Sequence, residues 1–260
     1  MKKALIAIAA VVMTVSASYA QVLVAGWDFQ TTTTGGTAIA AAPATSKIYT
    51  ANFGAGTLYF DGSNGSSNWF VPASGSTNTE LNAFGGSSVN TLASDGTLLS
   101  SVTTGSAALA VIGGAGTGTA ANGKSAVFAF SMAGKADLSI SLSAQRSTTG
   151  FATQLWEYSA DGGSTWGNIG SFVAGTTAGT IQDTFAKSGV LSFASFSALD
   201  GVSDARLRVT FTGASATAGN NRLDNIQLNA VVVPEPSSGA LLVLGGVSLV
   251  AIRSLRKKNS

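Results

Sequence analysis

The sequence predicts an all-β fold: a single antiparallel β-sandwich, jelly-roll-like, flanked by an N-terminal signal helix and a C-terminal transmembrane helix. Three observations carry that expectation. Short runs in which apolar and polar residues alternate recur between residues 21 and 232, the period of strands with one buried face. Clusters of Gly, Ser, Asn and Thr punctuate those runs. Long apolar runs of helical character stand only at the two ends.

Composition narrows the field before any motif is read. In 260 residues, 45% are hydrophobic, enough to bury a sizeable core, and only 10% are charged, against a usual figure of about 25%. Glycine is abundant at 32 residues, but with 4 prolines and no G-X-Y period a collagen helix is excluded. Cysteine and histidine are absent. Disulfides, thiolate nucleophiles, the usual imidazole base and the commonest ligands of zinc are therefore missing, and no cofactor or metal is expected.

The first element is residues 1–20. Lys2 and Lys3 precede an apolar run from Ala4 to Val15, and small residues close it at Ala20. That order is the grammar of a secretory signal peptide, with cleavage between Ala20 and Gln21 and passage through the Sec translocon. Residues 21–232 form the sandwich. Leu138, Ile140, Leu142 and Ala144 alternate with serines; Leu207, Val209 and Phe211 alternate with Arg206, Arg208 and Thr210; Ile226, Leu228 and Ala230 alternate with Asn225, Gln227 and Asn229. Further strands are expected over Val22–Phe29, Thr57–Phe60, Ala126–Met132, Phe151–Tyr158 and Val190–Phe196. The Gly-rich stretch from Asp61 to Ala120 reads as long loops or irregular strands, and no repeat period supports a solenoid.

The last element is residues 233–260. Pro234, Glu235 and Pro236 lead into an apolar segment from Ser237 to Ile252, and Arg253, Arg256, Lys257 and Lys258 follow it. The segment is slightly short for a spanning helix of about 17–25 residues, but basic residues at its end lengthen the effective span and hold that end in the cytoplasm. Both termini also distort the charge balance. The formal charge of the chain is +2, yet residues 21–232 hold eight basic and eleven acidic side chains, a balance near −3. No basic run remains there, so a nucleic-acid partner is not expected.

The order Val-Pro-Glu-Pro-Ser, apolar helix and basic tail over Val233–Lys258 resembles the PEP-CTERM sorting signal of exported bacterial proteins. The resemblance implies an exosortase-type processing enzyme acting at or near Pro234–Pro236. It also implies transient anchoring in the inner membrane, then delivery to the cell surface or an extracellular polysaccharide matrix. A second resemblance rests on Ser143 to Gly150, Trp156 to Gly162 and Arg222 to Ile226, which look like a jelly-roll module found in many PEP-CTERM proteins. It implies a sandwich related to carbohydrate-binding modules and no defined ligand.

Several strings of residues mimic functional motifs. Gly118 to Ser125 matches the phosphate-loop pattern G-x-x-x-x-G-K-S, but a phosphate loop needs a helix directly after its Ser. Here Phe128, Phe130 and Met132 follow at period 2, so Asn122-Gly123 reads as a turn before a strand. Ser159, Asp161, Gly163, Thr165 and Trp166 resemble the Asp-box of sialidase propellers, a structural hairpin in that family, and occur once. Trp156 and Tyr158 share a strand face with Gln154 beside them, and Trp69 sits among Ser, Asn and Gly. Trp69, Trp156 and Tyr158 are the candidate glycan contacts, as rings on which a sugar face can lie; the alternative for each is core packing. Glycosidases use two carboxylates about 5–10 Å apart, and no pair among the two glutamates (Glu80, Glu157) and nine aspartates of residues 21–232 declares itself by spacing. Asp224 shares a strand face with Ile226 and Leu228 in this reading, where it either ligates a structural Ca²⁺ or accepts from a turn N–H. No catalytic residue is expected.

Together these features point to an exported, non-catalytic protein of the envelope or polysaccharide matrix, structural or glycan-associating. A carboxylate-based polysaccharide hydrolase is one alternative, and a coat or adhesion protein with no specific ligand is another.

Overall fold

The computed structural model describes residues 21–29, 46–71, 79–85, 107–114 and 120–233. The two expected terminal helices, with Ala20 and with Pro234, Glu235 and Pro236, lie outside the described residues. Among the described residues, no helix is long and apolar enough to cross a membrane.

The described residues form thirteen strands and one short helix, in chain order β1 (Gln21–Trp27), β2 (Ile48–Thr50), β3 (Phe53–Gly54), β4 (Gly56–Tyr59), β5 (Leu81–Gly85), β6 (Ala107–Ile112), β7 (Ser125–Phe130), β8 (Lys135–Arg146), β9 (Thr153–Ser159), β10 (Gly167–Val173), α1 (Phe185–Ser188), β11 (Val190–Phe196), β12 (Ala205–Thr212) and β13 (Asn220–Val232). One sheet runs β11-β8-β13-β1-β3, with β6 and β5 added beside β13. The other runs β10-β9-β12-β7-β4-β2. All named strand pairs are antiparallel.

Alternation explains why the sheets face each other. The apolar members of β8 (Leu138, Ile140, Leu142, Ala144) and of β12 (Leu207, Val209, Phe211) are all buried in one core, and the intervening Ser139, Ser141, Arg206 and Arg208 stay partly exposed. Aromatic rings knit the layers together. Trp27 meets Phe128 edge to face at 5.1 Å, Phe128 stacks on Trp156 at 5.6 Å, and Phe172 stacks on Phe193 at 4.2 Å where the edge strands β10 and β11 close the sandwich. Each large apolar side chain removed from water this way contributes about 2–3 kcal/mol.

Departures from the expected strands have local causes. The first strand stops at Trp27 because Phe29 turns left-handed (φ 54°), with the Asn52 side-chain oxygen accepting from the backbone N–H groups of Asp28 and Phe29. A bulge in β13 lies between Asp224 and Gln227, with Asn225 at φ 46°. It shifts the phase of the strand by one residue. Asp224 therefore pairs opposite Ser143 on the outer face, away from Ile226 and Leu228, which corrects the face read from alternation. Its carboxylate accepts from the Asn225 backbone N–H at 2.7 Å. Strand β10 was not expected: it is an edge strand with two glycines and little burial, so it carries no alternation.

Candidate functional site

Two of the three candidate sugar-stacking rings are core residues. Trp69 is fully buried, its indole N–H donates to the Ser125 carbonyl at 2.9 Å, and its ring touches Phe60, Phe151 and Phe211. Its Ser/Asn/Gly neighbours suggested an exposed loop; the extended segment instead lays the ring inward. Trp156 is also fully buried, between Phe128, Phe172 and Phe193. Neither presents a face to a sugar. Tyr158 alone of the three keeps accessible surface, with its ring tilted on Phe196 at 5.7 Å. The ring also lies over Gly167, where an added Cβ would come within 2.5 Å of it. That close approach requires glycine.

The motif-like strings resolve into connectors. Gly123 takes φ 85° in the turn before β7, so a strand follows the Lys-Ser pair. Lys124 pairs with the nearly buried Glu80 and lies over the Trp69 ring at 6.0 Å. In the β9–β10 hairpin, Asp161 is the organising group. It accepts from the N–H groups of Ser164 (3.0 Å) and Thr165 (2.9 Å) and from the hydroxyls of Thr165 (2.6 Å) and Ser159 (2.7 Å). The Thr165 hydroxyl bond, followed by the Thr165 N–H and the Ser159 hydroxyl, holds the Asp161 carboxyl well below the usual carboxylate range. Trp166 closes the hairpin beneath the Arg208 guanidinium, 4.2 Å from the ring centre. This is turn architecture.

Carboxylates are mostly committed as well. Glu80 also accepts from the Phe70 N–H at 2.6 Å, and Glu157 accepts from Arg208 Nε at 2.8 Å. Asp204 pairs with Arg206, and Asp183 with Lys187. Among the described residues, no group of three or more acidic side chains is placed to hold a metal ion.

A cleft of about 690 Å³ opens where the end of β8 meets the segment after β10. Arg146, Ser147 and Thr148 form one wall; Thr176, Gln182 and Lys187 stand on the other, with Asp183 beside them. Backbone bonds hold the walls together, with Arg146 N donating to the Gln182 carbonyl at 2.7 Å. The Arg146 guanidinium is fixed by donating Nη2 to the carbonyls of Thr148 (2.9 Å) and Gly150 (3.0 Å). The Gln182 side chain donates to the Lys187 carbonyl at 2.8 Å, and Lys187 Nζ bridges both Asp183 oxygens at 2.9 and 3.0 Å. That contact lowers the Asp183 carboxyl below its ordinary pKa. Sequence reasoning singled out Arg146 only within the jelly-roll resemblance. The cleft itself joins positions separated by two strands and had no signal in the chain.

No family model and no curated protein matches this chain. Solved structures that resemble it include the K2 cleaved adhesin domain of Lys-gingipain, at 12% identity and TM-score 0.38, covering 80% of this chain and 97% of that one. TmCBM61 in complex with β-1,4-galactotriose matches at 8% identity and TM-score 0.31, covering 57% of this chain and 86% of that one. A CBM4 structure matches at 13% identity and TM-score 0.30, covering 50% and 73%. Likenesses this distant leave the chemistry to be argued from the residues of the chain itself.

Proposed function

We propose that this chain is an exported, surface-sorted, non-catalytic protein of the envelope or extracellular polysaccharide matrix. Residues 1–20 are its signal peptide, removed between Ala20 and Gln21, and residues 21–232 its jelly-roll-like ectodomain. Residues 233–260 are a PEP-CTERM-like sorting signal, cut by an exosortase-type enzyme at Pro234, Glu235 and Pro236. The observation that carries the reading is the three-part tail, Pro-Glu-Pro, apolar segment and basic end, on a chain that begins with a signal-like leader. Support for a non-catalytic role comes from the glutamates: Glu80 and Glu157 are each held by a cation, away from the cleft.

Replacing Pro234, Glu235 and Pro236 together by alanine tests the address. The expected result is protein held in the inner membrane with its tail intact; unchanged surface delivery overturns the sorting reading. A combined binding and cleavage assay on the producing cell's own exopolysaccharide tests the rest. Saturable binding without product supports a glycan-associating component, and released oligosaccharide overturns the non-catalytic assignment. Burial of Trp69 and Trp156 favours one second reading, a coat protein with no specific ligand, for which neither binding nor product is expected.

A further inference from the structure

Arg146, Asn221 and Gln154 occupy one end of the sandwich interior. Arg146 and Asn221 are register partners on β8 and β13, each continuing the inward row that includes Ala144 and Leu223. Gln154 continues the inward row of Trp156 on β9, which the 147–152 connection brings to the same end. Gln154 and Asn221 are fully buried, and both polar atoms of each amide lack a hydrogen-bond partner; so does Arg146 Nε. Buried polar groups are nearly always paired, so five unpartnered atoms at one place call for an explanation. Arg146 also carries a charge that meets no carboxylate among the described residues. The cleft opens directly beside it, within the size range of small-molecule sites.

We propose that this cleft binds an acidic saccharide, a carboxylate-bearing sugar unit of a matrix polysaccharide. The inference rests on the glycan-associating reading above and names the substrate class and the site. The guanidinium, already fixed on two carbonyls through Nη2, receives the sugar carboxylate on its remaining Nη1 N–H groups with little ordering left to do. Ser147, Thr148, Thr176 and Gln182 are positioned to bond ring hydroxyls. Lys187, exposed and tied only to the exposed Asp183, exchanges that partner for the ligand. The Gln154 and Asn221 amides lie behind Arg146, outside the lining of the cleft, where buried water is the partner that fits them. Among the described residues no aromatic ring lines the cleft, so charge and hydroxyl bonds carry recognition in place of stacking. The ectodomain's net negative charge sharpens this, because an acidic polymer is repelled elsewhere and held only where cations converge.

The test is calorimetric titration of the full chain with oligogalacturonate and with its methyl-esterified counterpart. Expected is saturable binding of the acid, weakening roughly tenfold or more for the ester and for Arg146→Gln, with a smaller loss for Lys187→Gln. Should Arg146→Gln fail to fold by its thermal transition, Lys187→Gln and the salt dependence of wild-type binding decide. Equal affinity for acid and ester, or binding indifferent to salt and to Lys187→Gln, overturns the proposal. Binding of whole exopolysaccharide that neither variant changes overturns the cleft alone and leaves the glycan reading standing. Absence of binding to any polysaccharide overturns both.

Discussion

Two groups of buried side chains flank the β8–β9 connection, and they are built from opposite material. On one side Trp69 packs on Phe151 and Phe211, and its single polar atom donates to the Ser125 carbonyl. On the other, Arg146 bonds the Gly150 carbonyl while Asn221 and Gln154 bring polar atoms that meet no partner. The aromatic group is complete in itself and does structural work alone. The polar group is incomplete, which stabilises nothing, and an incomplete buried group calls for a water, an ion or another molecule to complete it. Ring-bearing residues were the natural place to look for sugar contacts; burial removes Trp69 and Trp156 from that role and leaves the polar group beside the cleft as the candidate.

Truncating the aromatic group breaks the comparison most severely. Trp69→Ala removes three ring contacts and the indole bond to the Ser125 carbonyl, and is expected to cost about 3–5 kcal/mol by urea denaturation. A loss under about 1 kcal/mol, with sugar binding abolished, would return Trp69 to the surface. Next in size is Lys124→Met. The variant leaves Glu80, 4% exposed at its side chain, buried without its cation, at an expected cost of about 3 kcal/mol. That outcome also separates a structural lysine from a phosphate-binding one, since added nucleotide should protect neither protein from unfolding.

The polar group predicts the opposite sign. Gln154→Met keeps the volume and removes an amide whose two polar atoms are buried and unpaired, so the chain should gain about 1 kcal/mol. Destabilisation of that size instead would show that the amide has a partner in solution and would remove the contrast with Trp69.

What the chain disclosed in advance follows the same division. Strands that alternate strictly, β8 and β12, were legible because one face of each meets the core. The face of Asp224 was misread because a bulge at Asn225 resets the period, and the one cue, an asparagine tolerant of left-handed backbone, is too common in turns to announce a bulge inside a strand. Trp69 was ambiguous for a different reason: its Ser and Asn neighbours describe the local backbone, and its burial is decided by Phe151 and Phe211, some 80 and 140 residues away. The cleft was illegible altogether. Arg146 and Lys187 are joined only by the way β9 and β10 return the chain, so no local pattern records their meeting.

The smallest expected effect belongs to the hairpin that both readings treat as structure. Asp161 is ionised at neutral pH in the folded and unfolded chain alike, and its four hydrogen bonds favour the charged form in the folded one. A carboxyl whose folded pKa is depressed adds stability that is complete above its unfolded value, about 4, and lost as pH falls from there toward the folded value. Asp161→Asn should therefore lower Tm by a constant, small amount between about pH 5 and 7, and the gap to wild type should close below about pH 4. Asparagine keeps the shape but neither the charge nor the second acceptor, so the thermal transition reads the electrostatic part of the turn. A gap that widens on acidification would mean that Asp161 is protonated at neutral pH, and the hairpin would then lose its organising group.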